Sequence, residues 1–190
     1  MGKIIVSENV TLDGVVQDPT SDEDFARGGW GGRGPVKGDV ARVILDDAVG
    51  TEAILLGRRS YEFFAARWPS RSGALADRLN SKAKYVVSST LEDPAWNNTT
   101  VLDGDLVAEV SKLKEEVAGD INVAASGKLV HALMEHDLVD ELRLIVYPVV
   151  LGAGDRLFAE TSDERPLRLV RSETIGDGLA FLTYERVRDS

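Results

Sequence analysis

Short apolar runs alternate with amphipathic segments along most of this chain. Residues 3–7 hold Ile4-Ile5-Val6, β-branched throughout, and predict a first, central strand. Asp13-Gly14 then marks a turn ahead of Val15-Val16. In residues 39–49, Val40, Val43, Ile44 and Ala48 recur at helical spacing. The run Ala53-Ile54-Leu55-Leu56 is short enough for a buried strand and stops at Gly57; a helix from Ser60, ending before Trp68-Pro69, follows. A helix over 74–81, a strand over 83–87, a polar connection over 91–98 and a strand over 99–102 come next. Residues 106–117 predict an amphipathic helix with Leu106, Val110, Leu113 and Val117 inward, stopped by Gly119. Ile121-Asn122-Val123-Ala124 predicts a strand, the helix after it carries Leu129, Val130, Leu133 and Met134, and residues 142–149 form a near-continuous apolar strand. Two last strands, 167–174 and 179–185, flank Gly176-Asp177-Gly178, a hairpin signal. The alternation, closed by an antiparallel hairpin, predicts an α/β fold: one mixed, mostly parallel sheet with helices on both faces.

The chemistry gathers where strands stop. At Gly57-Arg58-Arg59-Ser60 the free N–H groups of a new helix stand beside two guanidinium groups that keep their charge and grip phosphate oxygens in bidentate fashion. The same arginines also read as solvated residues at a helix start, where the dipole slightly disfavours them. Ser88-Ser89-Thr90 places three hydroxyls at a strand end, either for phosphate or as a turn cap. Ala125-Ser126-Gly127 is a second strand-to-helix turn, built of small residues that let backbone approach an anion. It lacks the G-x-G-x-x-G spacing of a doubly wound dinucleotide site. Because all three turns follow strands, they line one edge of a common cleft. Residues 17–38 read as loop, and Trp30, set among Gly28, Gly29, Gly31 and Gly32, is expected either as a mobile lid over a ligand or as an aromatic pinned to the surface of a flexible insertion.

Composition narrows the partners. The 190 residues predict a single domain, with 43% hydrophobic and 28% charged residues, ordinary for a globular protein. A net charge of -10 argues against nucleic acid and anionic membrane surfaces. An anionic ligand therefore needs a local cationic site, which Arg58 and Arg59 supply. No cysteine is present, so neither a disulfide framework nor a thiol nucleophile is predicted. The N-terminus turns polar too soon for a signal peptide, and no apolar run reaches membrane-spanning length; a cytoplasmic setting is expected. His131 and His136 have no partners at metal-ligand spacing, and no metal is expected.

The order Thr11-Leu12-Asp13-Gly14, then Leu56-Gly57-Arg58-Arg59-Ser60-Tyr61-Glu62, then Val86-Val87-Ser88-Ser89-Thr90 resembles the dihydrofolate reductase fold, a three-layer α/β arrangement. Ser126-Gly127-Lys128-Leu129-Val130, Leu138-Val139-Asp140-Glu141-Leu142 and Pro148 through Phe158 make the chain similar to the reductase domain at the C-terminus of the bifunctional riboflavin-biosynthesis deaminase-reductase, here standing alone without the zinc deaminase domain. The resemblance implies an NADPH-dependent reductase, with nicotinamide along the first strand. It implies Arg58 on the adenosine 2′-phosphate, with Gly57, Arg59, Ser60, Ser88, Ser89 and Thr90 around it, and Ala125-Ser126-Gly127-Lys128-Leu129 at the pyrophosphate. Ala125 and Ser126 stand where dihydrofolate reductases carry a glycine pair, a departure that bears on cofactor affinity.

For the substrate side, the first-helix carboxylate that binds the pterin in dihydrofolate reductases corresponds by order to Asp39, the candidate catalytic residue, with Asp46 and Asp47 further along; Asp39 reads equally as an N-cap. Asp13 and Trp30 are candidates for substrate contact, Asp13 also as the shaper of its own turn. Asp140 and Glu141 are expected to hold a helix-to-strand turn. The function implied is reduction of a pyrimidine or pterin-like heterocycle; the alternative is a nucleotide-binding regulatory module without turnover. A small-molecule substrate and a homodimer, with the C-terminal strands as one candidate surface, complete the expected partners.

Overall fold

The β-branched run at the N-terminus becomes the strand on which everything else is laid. The computed structural model describes residues 1–33, 37–158, 160–161 and 163–187, with side chains from 39 onward in the first helix; Gly34-Pro35 of the predicted loop lies outside the described residues. In chain order the elements are β1 (Ile4–Thr11), a single 3-10 turn at Trp30–Gly32, α1 (Lys37–Gly50), β2 (Ala53–Gly57), α2 (Arg58–Ala65), α3 (Ala74–Ser81), β3 (Ala83–Val87), β4 (Thr99–Leu102), α4 (Leu106–Glu116), β5 (Ile121–Ala124), α5 (Gly127–Glu135), β6 (Glu141–Tyr147), β7 (Leu167–Ile175) and β8 (Leu179–Arg186). Among the described residues they build one sheet in the order β4-β3-β2-β5-β1-β6-β8-β7. From β4 to β6 the pairing is parallel; β8 runs antiparallel to β6 and β7 antiparallel to β8.

Both faces of the sheet are covered, as continuous apolar strands require. One face turns Ile4, Val6, Val10, Leu55 and Val123 toward Val110 and Leu113 of α4 and Leu129, Val130 and Leu133 of α5. Each such side chain stabilises the fold by about 1.5–3 kcal/mol relative to exposure. The other face carries two clusters. Ile145, Tyr147 and Phe181 pack with Trp30 and with Val40, Val43 and Ile44 of α1. Ile54, Leu56 and Val86 pack with Tyr61 and Trp96.

Several boundaries depart from expectation, and the first strand, predicted over residues 3–7, runs on to Thr11. The first helix opens at Lys37, so Asp39 lies inside its first turn and is not the N-cap. The second begins directly after Gly57, because the strand's last residue, in extended conformation, already serves as cap. β6 ends at Tyr147, ahead of Pro148, which has no N–H to give a ladder. Asp140 does hold the turn into β6: its buried carboxylate accepts from Ile4 N–H at 2.9 Å and pairs with Lys114 Nζ at 2.5 Å. Glu141 pairs with Arg143, which also reaches Asp47 and Asp120.

Candidate functional site

The three strand-end turns meet at one edge of the sheet. β2 and β5 are parallel neighbours, so their ends, and the helices α2 and α5 that start there, lie side by side. Ser126 Oγ accepts from Gly57 N–H at 3.2 Å and donates to Ala124 C=O at 3.0 Å. Ser60 Oγ donates to the carbonyl of Ala125. The third turn joins through Thr90, whose Oγ1 accepts from Arg58. Ser88 acts as a cap, its Oγ accepting from Thr90 N–H at 3.2 Å and Leu91 N–H at 3.0 Å, while Ser89 stands exposed.

The arginines are held lightly. Arg58 Nε donates to Glu62 at 2.7 Å and Arg59 to Glu23 at 3.1 Å, both in pairs open to solvent. Exposed pairs of this kind contribute about 0.2–1 kcal/mol, so a phosphate can replace the carboxylates at little cost. Backbone room is present as well. A β-carbon on Gly57 would meet only Leu129 Cβ, at 3.8 Å, and one on Gly127 would meet nothing within 4 Å. Neither glycine is demanded by protein packing; the space beside each is open. Cations, helix N-termini, hydroxyls and open backbone together suit a phosphate-bearing ligand. Ala125 takes φ +52°, a left-handed conformation costing a residue with a side chain about 1 kcal/mol.

The remaining predicted residues are placed differently. Leu129 belongs to the core beneath Gly57 and is not open to a ligand. Lys128 is exposed and lines a groove of about 630 Å³ on the outer side of α5, with His131, Phe158 and Arg165. Asp13 accepts from Thr11 Oγ1 at 2.7 Å, Leu151 N–H at 3.1 Å and Gly152 N–H at 2.7 Å. These bonds, Thr11 first, draw its carboxyl down to about 2. Asp13 thus clasps the Leu151-Gly152 turn against the end of β1.

Two expectations are corrected. Trp30 is no lid and no surface aromatic: it is 1% exposed, donates from Nε1 to Gln17 C=O at 2.8 Å and meets Tyr147 edge-on at 5.1 Å. A large apolar ring gains more from burial than from guarding a cleft, and the surrounding glycines let the chain fold around it: Gly29 N–H donates to Asp18 C=O and Gly31 N–H to Pro19 C=O. Asp39 is exposed in the first turn of α1, where a carboxylate complements the helix dipole, and is not brought onto the sheet. The carboxylate that α1 does bring to the sheet is Asp47, bonded to Ser7 Oγ at 2.6 Å, to Asn122 Nδ2 at 3.0 Å and to Arg143.

The sequence reading passed over Glu8. Alternation along β1 sets it, half-buried, on the same face as Ile4, Val6 and Val10, one residue past the Ser7–Ala124 pair and so toward the N–H groups of Ala125 and Ser126. Burial raises it to about 8, against the pull of those two N–H groups. A glutamate at a core-facing position of a β-branched strand was the available signal.

The family model of the RibD C-terminal domain matches residues 2–181. The chain belongs to that family. Across 96% of its length it is 28% identical to the uncharacterized protein YyaP of Bacillus subtilis (strain 168), of which 94% is covered. Among solved structures it is similar to a protein of Shewanella sp. PV-4 assigned to riboflavin biosynthesis, with TM-score 0.78, 22% identity, and coverage of 98% of this chain and 99% of that one. It is also similar to dihydrofolate reductase from Enterococcus faecalis, solved with NADP(H), with TM-score 0.62, 14% identity, and coverage of 97% and 96%. The RibD-type domain here therefore has the dihydrofolate reductase-like fold: a mostly parallel sheet between two helical layers, with the antiparallel hairpin β7–β8. Among the described residues no helix is long and apolar enough to cross a membrane.

Proposed function

We propose that the protein is an NADPH-dependent reductase of a heterocyclic substrate of the pyrimidine or pterin-like class. The observation that supports this best is the hydrogen-bonded junction of three strand-end turns, with Arg58 and Arg59 beside two helix N-termini. Arg58, Ser89 and Thr90 would take the 2′-phosphate, Arg59 and Ser60 would flank it, and the Ala125-Ser126-Gly127 turn with Lys128 would receive the pyrophosphate. When bound, NADPH supplies a hydride to an electrophilic carbon of the heterocycle. The chain's part is to orient: β1 offers a flat central strand for the ring, and Asp13 fixes the Leu151-Gly152 turn that borders it.

A cytoplasmic setting and a homodimer belong to the same proposal. The dimer reading is supported by β7, an edge strand exposed along almost its whole length, with Leu169 49% and Val170 46% exposed. One observation favours the alternative of a nucleotide-binding module without turnover: Asp39, the candidate catalytic carboxylate, faces solvent. The double variant Arg58→Ala with Ser89→Ala tests the cofactor assignment. It is expected to weaken NADPH binding at least about tenfold, as loss of a charge-assisted phosphate contact requires; unchanged affinity contradicts it.

A further inference from the structure

Asparagine is depleted inside strands, where its amide competes with the ladder for backbone partners. Asn9 nonetheless stands within β1. Alternation from Ser7, which bonds to Asp47 of α1, sets Asn9 on the α1 side of the sheet, in register with Ile145 of β6. On that side Ile145 and Tyr147 pack with Val40, Val43 and Ile44. The last β1–β5 pair is Ser7 with Ala124, so Asn9 lies two residues beyond it, at the edge of the sheet where the turns at Gly57 and Ala125 meet. Asn9 is half-buried as a residue, yet its Oδ1 is shielded from solvent and has no hydrogen-bond partner. An amide oxygen withdrawn from water and left unbonded is costly, and it calls for a partner. Two other such atoms occur among the described residues, and neither stands at this edge: Arg78 Nε belongs to α3, which leads into the opposite end of β3, and Asn122 lies level with Ile5 and sends its Nδ2 to Asp47.

We propose that Asn9 reads the amide edge of the heterocyclic substrate, its Nδ2 donating to a ring carbonyl and its Oδ1 accepting from the adjacent ring N–H. The inference rests on the proposed function for the presence of a heterocycle and adds which part of the ring is recognised. A primary carboxamide offers one donor and one acceptor side by side, and a ring N–H beside a ring carbonyl offers the complement. The surroundings suit a flat ring. Val43, Ile44, Ile145 and Tyr147 supply apolar and aromatic surface, so the few polar groups at the ring edge decide orientation. Tyr147 is nearly buried and meets Trp30 edge-on at 5.1 Å, which fixes that surface in place. Asp47, the α1 carboxylate that reaches the sheet, is committed to Ser7, Asn122 and Arg143, and recognition falls to the neutral amide.

The test compares two probes, 5,6-diaminouracil and 5,6-diamino-1,3-dimethyluracil, whose ring N–H donors are replaced by methyl groups. Binding of each is followed by ligand-detected NMR, with the protein alone and with NADPH added. The wild type is expected to bind 5,6-diaminouracil at least about tenfold more tightly than the dimethyl compound, as a bidentate amide contact provides. In Asn9→Ala and in Asn9→Leu, which keeps the shape of the side chain, the preference is expected to fall within about twofold, with the NADPH Kd unchanged. Because the carboxamide serves no other part of the chain, Tm is expected to stay within about 4 °C of wild type. Equal binding of the two probes by the wild type, or binding of neither, overturns the inference, as does a folded variant that keeps the preference. A Tm lowered by more than about 4 °C in both variants shows that the amide serves the fold and overturns it too. Absence of NADPH binding, with the probe preference and its loss in Asn9→Ala intact, contradicts the cofactor reading and leaves the role of Asn9 standing.

Discussion

The Ser126 hydroxyl accepts the Gly57 N–H at 3.2 Å and donates to Ala124 C=O at 3.0 Å, so one side chain ties two turns that lie 69 residues apart in sequence. The hydroxyl is nearly buried, and the N–H it satisfies is the last of β2. A glycine at this position would leave that donor to solvent or ligand. The departure from the glycine pair of dihydrofolate reductases is therefore compensated: Ala125 accepts a strained φ, and Ser126 supplies the bonds that fix it.

Replacing Ser126 by alanine removes both bonds from half-buried backbone groups. The expected loss is about 1–3 kcal/mol of unfolding free energy, read by urea denaturation. Stability within about 0.5 kcal/mol of wild type contradicts the assignment.

Asp13 gives a prediction in acid. Its carboxyl titrates near 2 when folded, against 3.8 ordinarily, because Thr11, Gly152 and Leu151 donate to it. A depressed carboxylate stabilises fully above its unfolded value and loses that contribution as pH falls through its folded value. Between pH 4 and pH 2 the wild type is therefore expected to lose more Tm than Asp13→Asn. Parallel acid profiles of the two proteins contradict the clasp.

Glu8 and Lys84 titrate with opposite sign. Burial raises Glu8 from 4.5 to about 8, so the folded state holds a proton the unfolded chain has lost, and stability falls as pH rises from about 4.5 to 8. Burial lowers Lys84 from 10.5 to about 8, so the folded state releases its proton first, and stability rises from about pH 8 to 10.5. Lys84 Nζ is held by the carbonyls of Lys82, Asn80 and Asn97 and lies 4.4 Å from the Trp96 ring, with no carboxylate paired to it among the described residues. Thermal unfolding from pH 5 to 10 should show Glu8→Gln removing the first slope and Lys84→Met the second. Either slope surviving its variant contradicts the corresponding assignment.

The fold was legible because period and punctuation agreed. Ile4-Ile5-Val6, Ala53 to Leu56 and Ile121 to Ala124 read as strands and are strands, and the turns at Gly57, Ser88 and Ala125 read as neighbours and are bonded to one another. The misread residues are those whose role depends on distant chain. Trp30 looked mobile among glycines because nothing local announces Tyr147 beneath it. Asp39 and Asp47 share α1, but which of them reaches the sheet depends on how the helix crosses it. Glu8 was visible as a charge on a core-facing position, and its partners became identifiable only once β5 lay alongside β1.

The central claim is a cleft that prefers a dinucleotide with a third phosphate. Titration of the protein with NADPH and with NADH at pH 7.5, followed by nicotinamide fluorescence, tests it most directly. The account predicts saturable binding of both, with NADPH at least about tenfold tighter, as a bidentate arginine–phosphate contact provides. Equal affinity for the two would contradict the role given to Arg58, Ser89 and Thr90, and binding of neither would remove the reductase reading.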